Sequence, residues 1–210
     1  MLRQVVNRLF AARDPTARAR RQFLAIPLTA ADIAIDCGAN VGDVTEYLCR
    51  SGATVYAFEP NPHAFNALER RFSDRSNVRC LQRGVFDRNE VRRLYFHQRS
   101  DENELLWSTG SSLLDYKGNV RRDKFVDTTV IDLSEFISSL GARVKLLKID
   151  VEGVEVAILR NLIATGVIHT IDHIFVETHE RKVPELKADT DELRRTLKAM
   201  NLTHVNLDWT

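Results

Sequence analysis

The stretch Asp32-Ile-Ala-Ile-Asp-Cys-Gly-Ala-Asn-Val-Gly42, followed by Ala53-Thr-Val-Tyr-Ala-Phe-Glu-Pro-Asn-Pro62, constrains the fold most. The first half reads as a buried strand that enters a glycine turn and then a helix. The second reads as another strand ending in a carboxylate. Strand, glycine turn, helix start and an acidic residue one strand later make a nucleotide-type ligand site at the edge of a doubly wound sheet. Gly38 and Gly42 flank the turn. Glycine accepts left-handed backbone angles and lets a ligand approach the main chain. The helix opening at Asp43 points unpaired N–H groups toward that ligand. Glu59, on the neighbouring strand, suits both hydroxyls of a ribose.

A dinucleotide fits this turn badly. The pyrophosphate fingerprint needs a second glycine for close backbone approach, and Asn40 stands there instead. Asp36, just before the turn, would repel a phosphate. It suits a positive or donor group such as an amino-acid ammonium.

Strand and helix patterns alternate along the chain. Strands are expected near 32–37, 53–58, 78–83, 144–150, 171–178 and 202–208. Helices are expected near 43–50, 62–72, 133–140, 153–165 and 189–200. This order predicts an α/β fold, a single doubly wound and mostly parallel sheet with helices on both faces. Val91–Phe96 and Phe125–Ile131 read as additional strands. Between them, Gln98–Asp123 is polar and too long for an ordinary connection. Its Trp107 and Tyr116 are candidates either to stack on a substrate or to pack beneath the loop.

Val144-Lys-Leu-Leu-Lys-Ile-Asp-Val-Glu152 is the second informative stretch. If the strand persists, Lys148, Asp150 and Glu152 share a face. Charges at the end of a central strand are costly unless paired or functional. Ligands in open α/β sheets bind at those strand ends. The next strand ends in Glu177-Thr-His179, so Asp150, Glu152, Glu177 and His179 are expected to converge. Such a set serves in one of two ways: a general base, or a divalent-cation site whose oxygen-rich donors favour magnesium or manganese. Which of the two applies, and any ligand set for a metal, stays open here. Glu155, one turn into the following helix, is read as structural.

Asp36-Cys-Gly-Ala-Asn-Val-Gly42, Phe58-Glu-Pro-Asn-Pro62 and Lys148-Ile-Asp-Val-Glu-Gly-Val-Glu155 together resemble the signatures of FkbM-type methyltransferases. The resemblance covers roughly residues 32 to 180. It implies a Rossmann-like, class I methyltransferase fold and S-adenosylmethionine as cofactor. It further implies that Asp36, Gly38, Ala39, Asn40 and Gly42 hold the methionine end and Glu59 the ribose, with Asp87 near the adenine. Asp150, Glu152, His179 and Lys148 are then the catalytic candidates. The implied acceptor is a hydroxyl of a small molecule or glycan. Oxygen is also favoured because the chain lacks both an Asn/Asp-Pro-Pro-aromatic tetrapeptide and a Pro-Cys nucleophile. The competing readings are an RNA methyltransferase, a nicotinamide-dependent oxidoreductase, and a cofactor-binding module without turnover.

Composition sets further bounds. The chain has 210 residues, 44% of them hydrophobic, enough for one full core. A net charge of +1 argues against broad nucleic-acid binding. Cys37, Cys49 and Cys80 show no metal spacing and read as reduced thiols, which with the lack of an apolar leader predicts a cytoplasmic protein. No stretch is long and apolar enough to suggest a transmembrane segment. Residues 1–30 are expected as a basic, amphipathic helical extension and 31–210 as the methyltransferase domain. Leu2, Val5, Val6, Leu9 and Phe10 give that extension its helical spacing. A single closing strand near 202–208, where this sheet type often ends in an antiparallel hairpin, predicts an open edge. A homodimer or the N-terminal helix is expected to cover it.

Overall fold

Ile33–Cys37 (β1) is a continuous apolar run interrupted only by Asp36, and it lies at the centre of a six-stranded sheet. A computed structural model describes residues 14–209. The strands beside β1 are Thr54–Phe58 (β2) and Val144–Ile149 (β7). Outside them lie Val78–Leu81 (β3) on one edge, then Ile171–Val176 (β8) and Val205–Asn206 (β9) on the other. The order β3-β2-β1-β7-β8-β9 is parallel at every pairing. Parallel strands buried on both faces need apolar side chains on both. Ile35, Leu146, Leu147, Ile149 and Ile174 are accordingly solvent-free.

Helices Asp43–Cys49 (α2), Pro62–Arg71 (α3), Leu133–Ser139 (α4), Glu155–Ala164 (α5) and Lys187–Ala199 (α6) connect the strands. The sequence explains their starts. In Glu59-Pro-Asn-Pro62, Asn61 accepts from the N–H groups of His63 and Ala64 and Pro62 takes the first helical position. Asp132 caps α4 in the same way.

The extra strands form a second sheet. Gly84–Phe86 (β4), Glu90–His97 (β5) and Val120–Asp132 (β6) pair in the order β4-β6-β5. The β5–β6 register slips between Tyr95 and His97, a bulge that re-aims side chains at the strand end. The intervening residues 98–119 fold over the carboxyl ends of the main sheet and contain a short 3₁₀ turn, Leu106–Gly110.

One expectation needs correction. The last strand is only two residues long and runs parallel to β8, because α6 forms a crossover between them. Pro15–Leu24 (α1) packs beside it: Phe23 packs on Trp209 and Phe175, and Asn206 Nδ2 donates to Gln22 Oε1 at 2.8 Å. The apolar positions Leu2 to Phe10 lie outside the described residues. No described helix is long and apolar enough to cross a membrane.

Candidate active site

The turn after β1 works as anticipated in its backbone. Gly38 has φ +77° and Gly42 φ +93°. A Cβ at Gly38 would lie 1.8 Å from the Asp150 carbonyl oxygen. Only glycine permits β1 and β7 to end side by side. The Asn40 main-chain N–H donates to Glu59 Oε2 at 2.8 Å, and the Asn61 N–H to Glu59 Oε1 at 2.8 Å. Burial pushes the Glu59 carboxyl up to about 7 against the pull of those two donors.

A cavity of about 440 Å³ opens beyond this turn. Gly38, Asn40, Phe58, Glu59 and Pro60 line one part of it, and Arg83, Gly84 and Val85 extend that wall. Asp150, Val151, Glu152, Glu177 and Lys182 line the far end, with His97, Trp107, Ser108 and Asn119 of the second sheet and its loop above.

Not every expected residue reaches this space. Asp36 has no solvent exposure: Thr45 Oγ1 donates to its Oδ2 at 2.7 Å, and Lys148 Nζ lies 3.2 Å from Oδ1. An ammonium partner was expected for it, and the chain supplies its own. Ala39 and Gly42 also lie outside the cavity. Gly42 abuts Leu68 and Phe72, and Ala39 is buried in the same core cluster. Asp87 follows the last residue of β4, accepts from Arg88 Nε at 2.9 Å and does not line the cavity, whereas Arg83, Gly84 and Val85 do. Tyr116 is outside the cavity too. Trp107 lines it, but His97 stacks on the indole at 4.6 Å and Arg99 sits 4.1 Å over it. Its ring surface is therefore already engaged by the protein.

Lys148, 3% exposed, donates to the Gly38 carbonyl at 2.8 Å and lies 3.5 Å from Asp150 Oδ2. Burial alone would lower its pKa, but Asp36 and Asp150 outweigh burial and raise it. Lys148 is a clamp between the glycine turn and the β7 end and does not line the cavity.

The convergence of β7 and β8 is real, although its route differs from simple strand alternation. β7 stops at Ile149, and Glu152 sits in a turn at φ +61°. His179 is 1% exposed. Its Nε2 lies 3.2 Å from Glu152 and 3.8 Å from both Asp150 and Glu177. Its Nδ1 lies 2.9 Å from Glu155 Oε1. Neither ring nitrogen makes a well-directed hydrogen bond. Burial opposes the charged ring, but Glu152 and Glu155 override it and bring its pKa to about 10. Glu152 is held near 2: burial would raise it, and His179 with Lys117 more than reverses that. Asp150 moves the other way, to about 6, chiefly through burial.

Lys117 and Glu155 were not recognised as site residues from sequence. Lys117 lies in a segment without periodicity. Glu155 gives no local sign that its helix turn faces the end of β8.

Asp150, Glu152 and His179 each offer a ligand atom within 4.8 Å of the others. The cation's charge is already supplied, however. Lys117 Nζ contacts Glu152 Oε2, and His179 Nε2 approaches the same oxygen as an imidazolium. A magnesium or manganese ion would have to displace an ammonium and a proton together. With Lys117 already on Glu152, this donor set does not fit a resident metal ion.

An all-parallel doubly wound sheet with a glycine turn and an acidic pocket at its carboxyl ends defines a Rossmann-like fold. The chain belongs to the FkbM methyltransferase domain family, whose model matches residues 36–202. It is 30% identical over 142 residues to "Methyltransferase 1" of Beauveria bassiana, covering 61% of this chain and 57% of that protein. It is 25% identical over 179 residues to "Hexuronic acid methyltransferase AglP" of Haloferax volcanii, covering 84% of this chain and 67% of that one. No solved structure matches.

Proposed function

We propose that the protein is an S-adenosylmethionine-dependent O-methyltransferase acting on a hydroxyl of a small molecule or glycan. One observation carries this reading. A single cavity joins Gly38, Asn40 and Glu59 to Asp150. Its donor set suits the cofactor: Gly38 and Asn40 would hold the methionine end, Glu59 the ribose hydroxyls, and Phe58 with Val85 the base. When bound, S-adenosylmethionine supplies an electrophilic methyl group.

Asp150 is the general base. It lines the cavity, and a carboxyl near 6 is ionised at neutral pH yet more basic than an ordinary aspartate. It takes the proton that the acceptor hydroxyl must lose. His179 is not the base, because it already holds a proton and does not line the cavity. His179, Glu152 and Lys148 act as positioning residues that set the direction and charge of Asp150. Orientation of the acceptor supplies the rest of the acceleration.

A second reading has its own support. Arg83 and Lys182 line the same cavity, and the name of the Haloferax relative refers to a hexuronic acid. A carboxylate acceptor, held by these cations, would need no base. Calorimetric titration with S-adenosylmethionine, S-adenosylhomocysteine and NADH tests the cofactor. An acceptor screen with the methyl-labelled cofactor tests the rest. A base-stable ether from a product that Asp150→Asn cannot make supports the hydroxyl reading. A base-labile ester supports the second, and binding of NADH alone overturns both.

A further inference from the structure

Lys117 belongs to the loop over the cavity, yet it is 3% exposed. Its ammonium contacts Glu152 Oε2 and donates to the Gly110 carbonyl at 3.2 Å. Ser112 Oγ, from the same loop, donates to the Glu152 carbonyl at 2.7 Å. Both ends of Glu152 are thus held by residues 98–119. Ser108 Oγ accepts from Asn40 Nδ2 at 2.8 Å and Ser111 Oγ from Asn61 Nδ2 at 3.0 Å. The loop is sewn to both walls of the cavity, and Lys117 is its one buried charge among these contacts.

We infer that Lys117 is a positioning residue: an internal cation, carried by the cavity roof, that fixes Glu152 and closes the roof on the catalytic turn. This rests on the methyltransferase reading only for its kinetic consequence. A buried charge pair is expensive to break on one side. Glu152 also holds a left-handed backbone that costs energy in a residue with a Cβ. The pair therefore ties roof closure to the shape of the turn that bears Asp150. Opening of the roof would withdraw the cation and release Glu152, so the reactive arrangement exists only when the cavity is covered.

The test compares wild type, Lys117→Met, Glu152→Gln and the double variant by hydrogen exchange and by turnover. Each single variant is expected to raise exchange across residues 105–117 roughly 10-fold or more. The double variant, which leaves neither charge alone, is expected to exchange no faster than either single one. Lys117→Met is expected to lower kcat while cofactor KM changes little. Unchanged exchange in Lys117→Met, or strictly additive effects in the double variant, overturns the latch. If wild type transfers no methyl group but the non-additive exchange holds, the methyltransferase reading fails and the latch stands. If Lys117→Met does not fold, Glu152→Gln still decides: a roof exchanging roughly 10-fold faster than wild type supports the latch, and a roof as protected as wild type refutes it.

Discussion

The Nδ1 atom of His179 lies 2.9 Å from Glu155 Oε1, with both side chains almost wholly out of solvent. Glu155 Oε1 also accepts from the main-chain N–H groups of Val151 at 3.2 Å and Gly153 at 3.0 Å. One carboxylate therefore holds the turn after β7 and the histidine after β8. Asp150 begins that turn. Its position depends on a buried ion pair that it does not itself make.

Replacing His179 by leucine leaves Glu152 and Glu155 buried with less compensation, at a cost of about 3–5 kcal/mol. For a chain of this size that lowers Tm by roughly 10 °C. The pH dependence has a definite sign. The folded-state pKa is raised to about 10, so the stabilisation is complete below the ordinary histidine value near 6.5 and is lost as pH rises through about 10. Thermal melts of both proteins from pH 6 to 10.5 should show the gap narrowing as pH rises. A constant gap would mean that His179 stabilises by packing alone.

Asp150 and Glu59 should separate in pH profiles. Asp150 must be ionised to accept a proton, so kcat should rise as pH passes upward through about 6 and then level off. Glu59 accepts best when ionised, so cofactor affinity should strengthen as pH rises through about 7. Asp150→Asn is expected to lower kcat by about 10²-fold or more with little change in cofactor affinity. Glu59→Gln should weaken the cofactor and leave the kcat limb in place. A kcat limb near 6 that survives Asp150→Asn would remove Asp150 as the base.

Much of the sheet was legible in the chain. β1, β2 and β7 are apolar runs between strong punctuation, and Asn61-Pro62 writes a helix start in two residues. The backbone geometry of Gly38 was equally legible, since a left-handed turn at a strand end calls for glycine. The distribution of charge was not. Asp36 and Lys148 look like ligand-facing groups from their strand positions, but register sets Asp36 opposite Lys148, where the two form a buried ion pair. Lys117 and Glu155 act across long sequence separations, and no local pattern encodes such a meeting. Asp87 lies outside the cavity, at the end of Gly84–Phe86, which leaves the main sheet to pair with β6.

Metal dependence is the next discriminator. With Lys117 on Glu152 and a proton on His179, the carboxylate cluster carries its own counter-charge. Turnover should survive dialysis against EDTA and gain less than about 2-fold from added magnesium or manganese, against the large factors a catalytic metal supplies. Loss of activity on chelation, restored by manganese, would show that the cluster opens to take a cation.

Gly38→Ala should be among the most damaging single-methyl changes in the chain. The added carbon would meet the Asp150 carbonyl oxygen at 1.8 Å, and the residue sits at φ +77°, where alanine is strained. The β1 and β7 ends cannot both stay in place. Asp150 would move with its own carbonyl, and Lys148 would lose its acceptor on Gly38. Overpacking and backbone strain together cost about 2–5 kcal/mol. Gly118→Ala is the matched control, because a Cβ there meets nothing within 4 Å. Melting curves and cofactor titration of the two variants should diverge: Gly118→Ala near wild type, Gly38→Ala less stable and without measurable cofactor binding. If Gly38→Ala binds the cofactor normally, the turn is not part of its site.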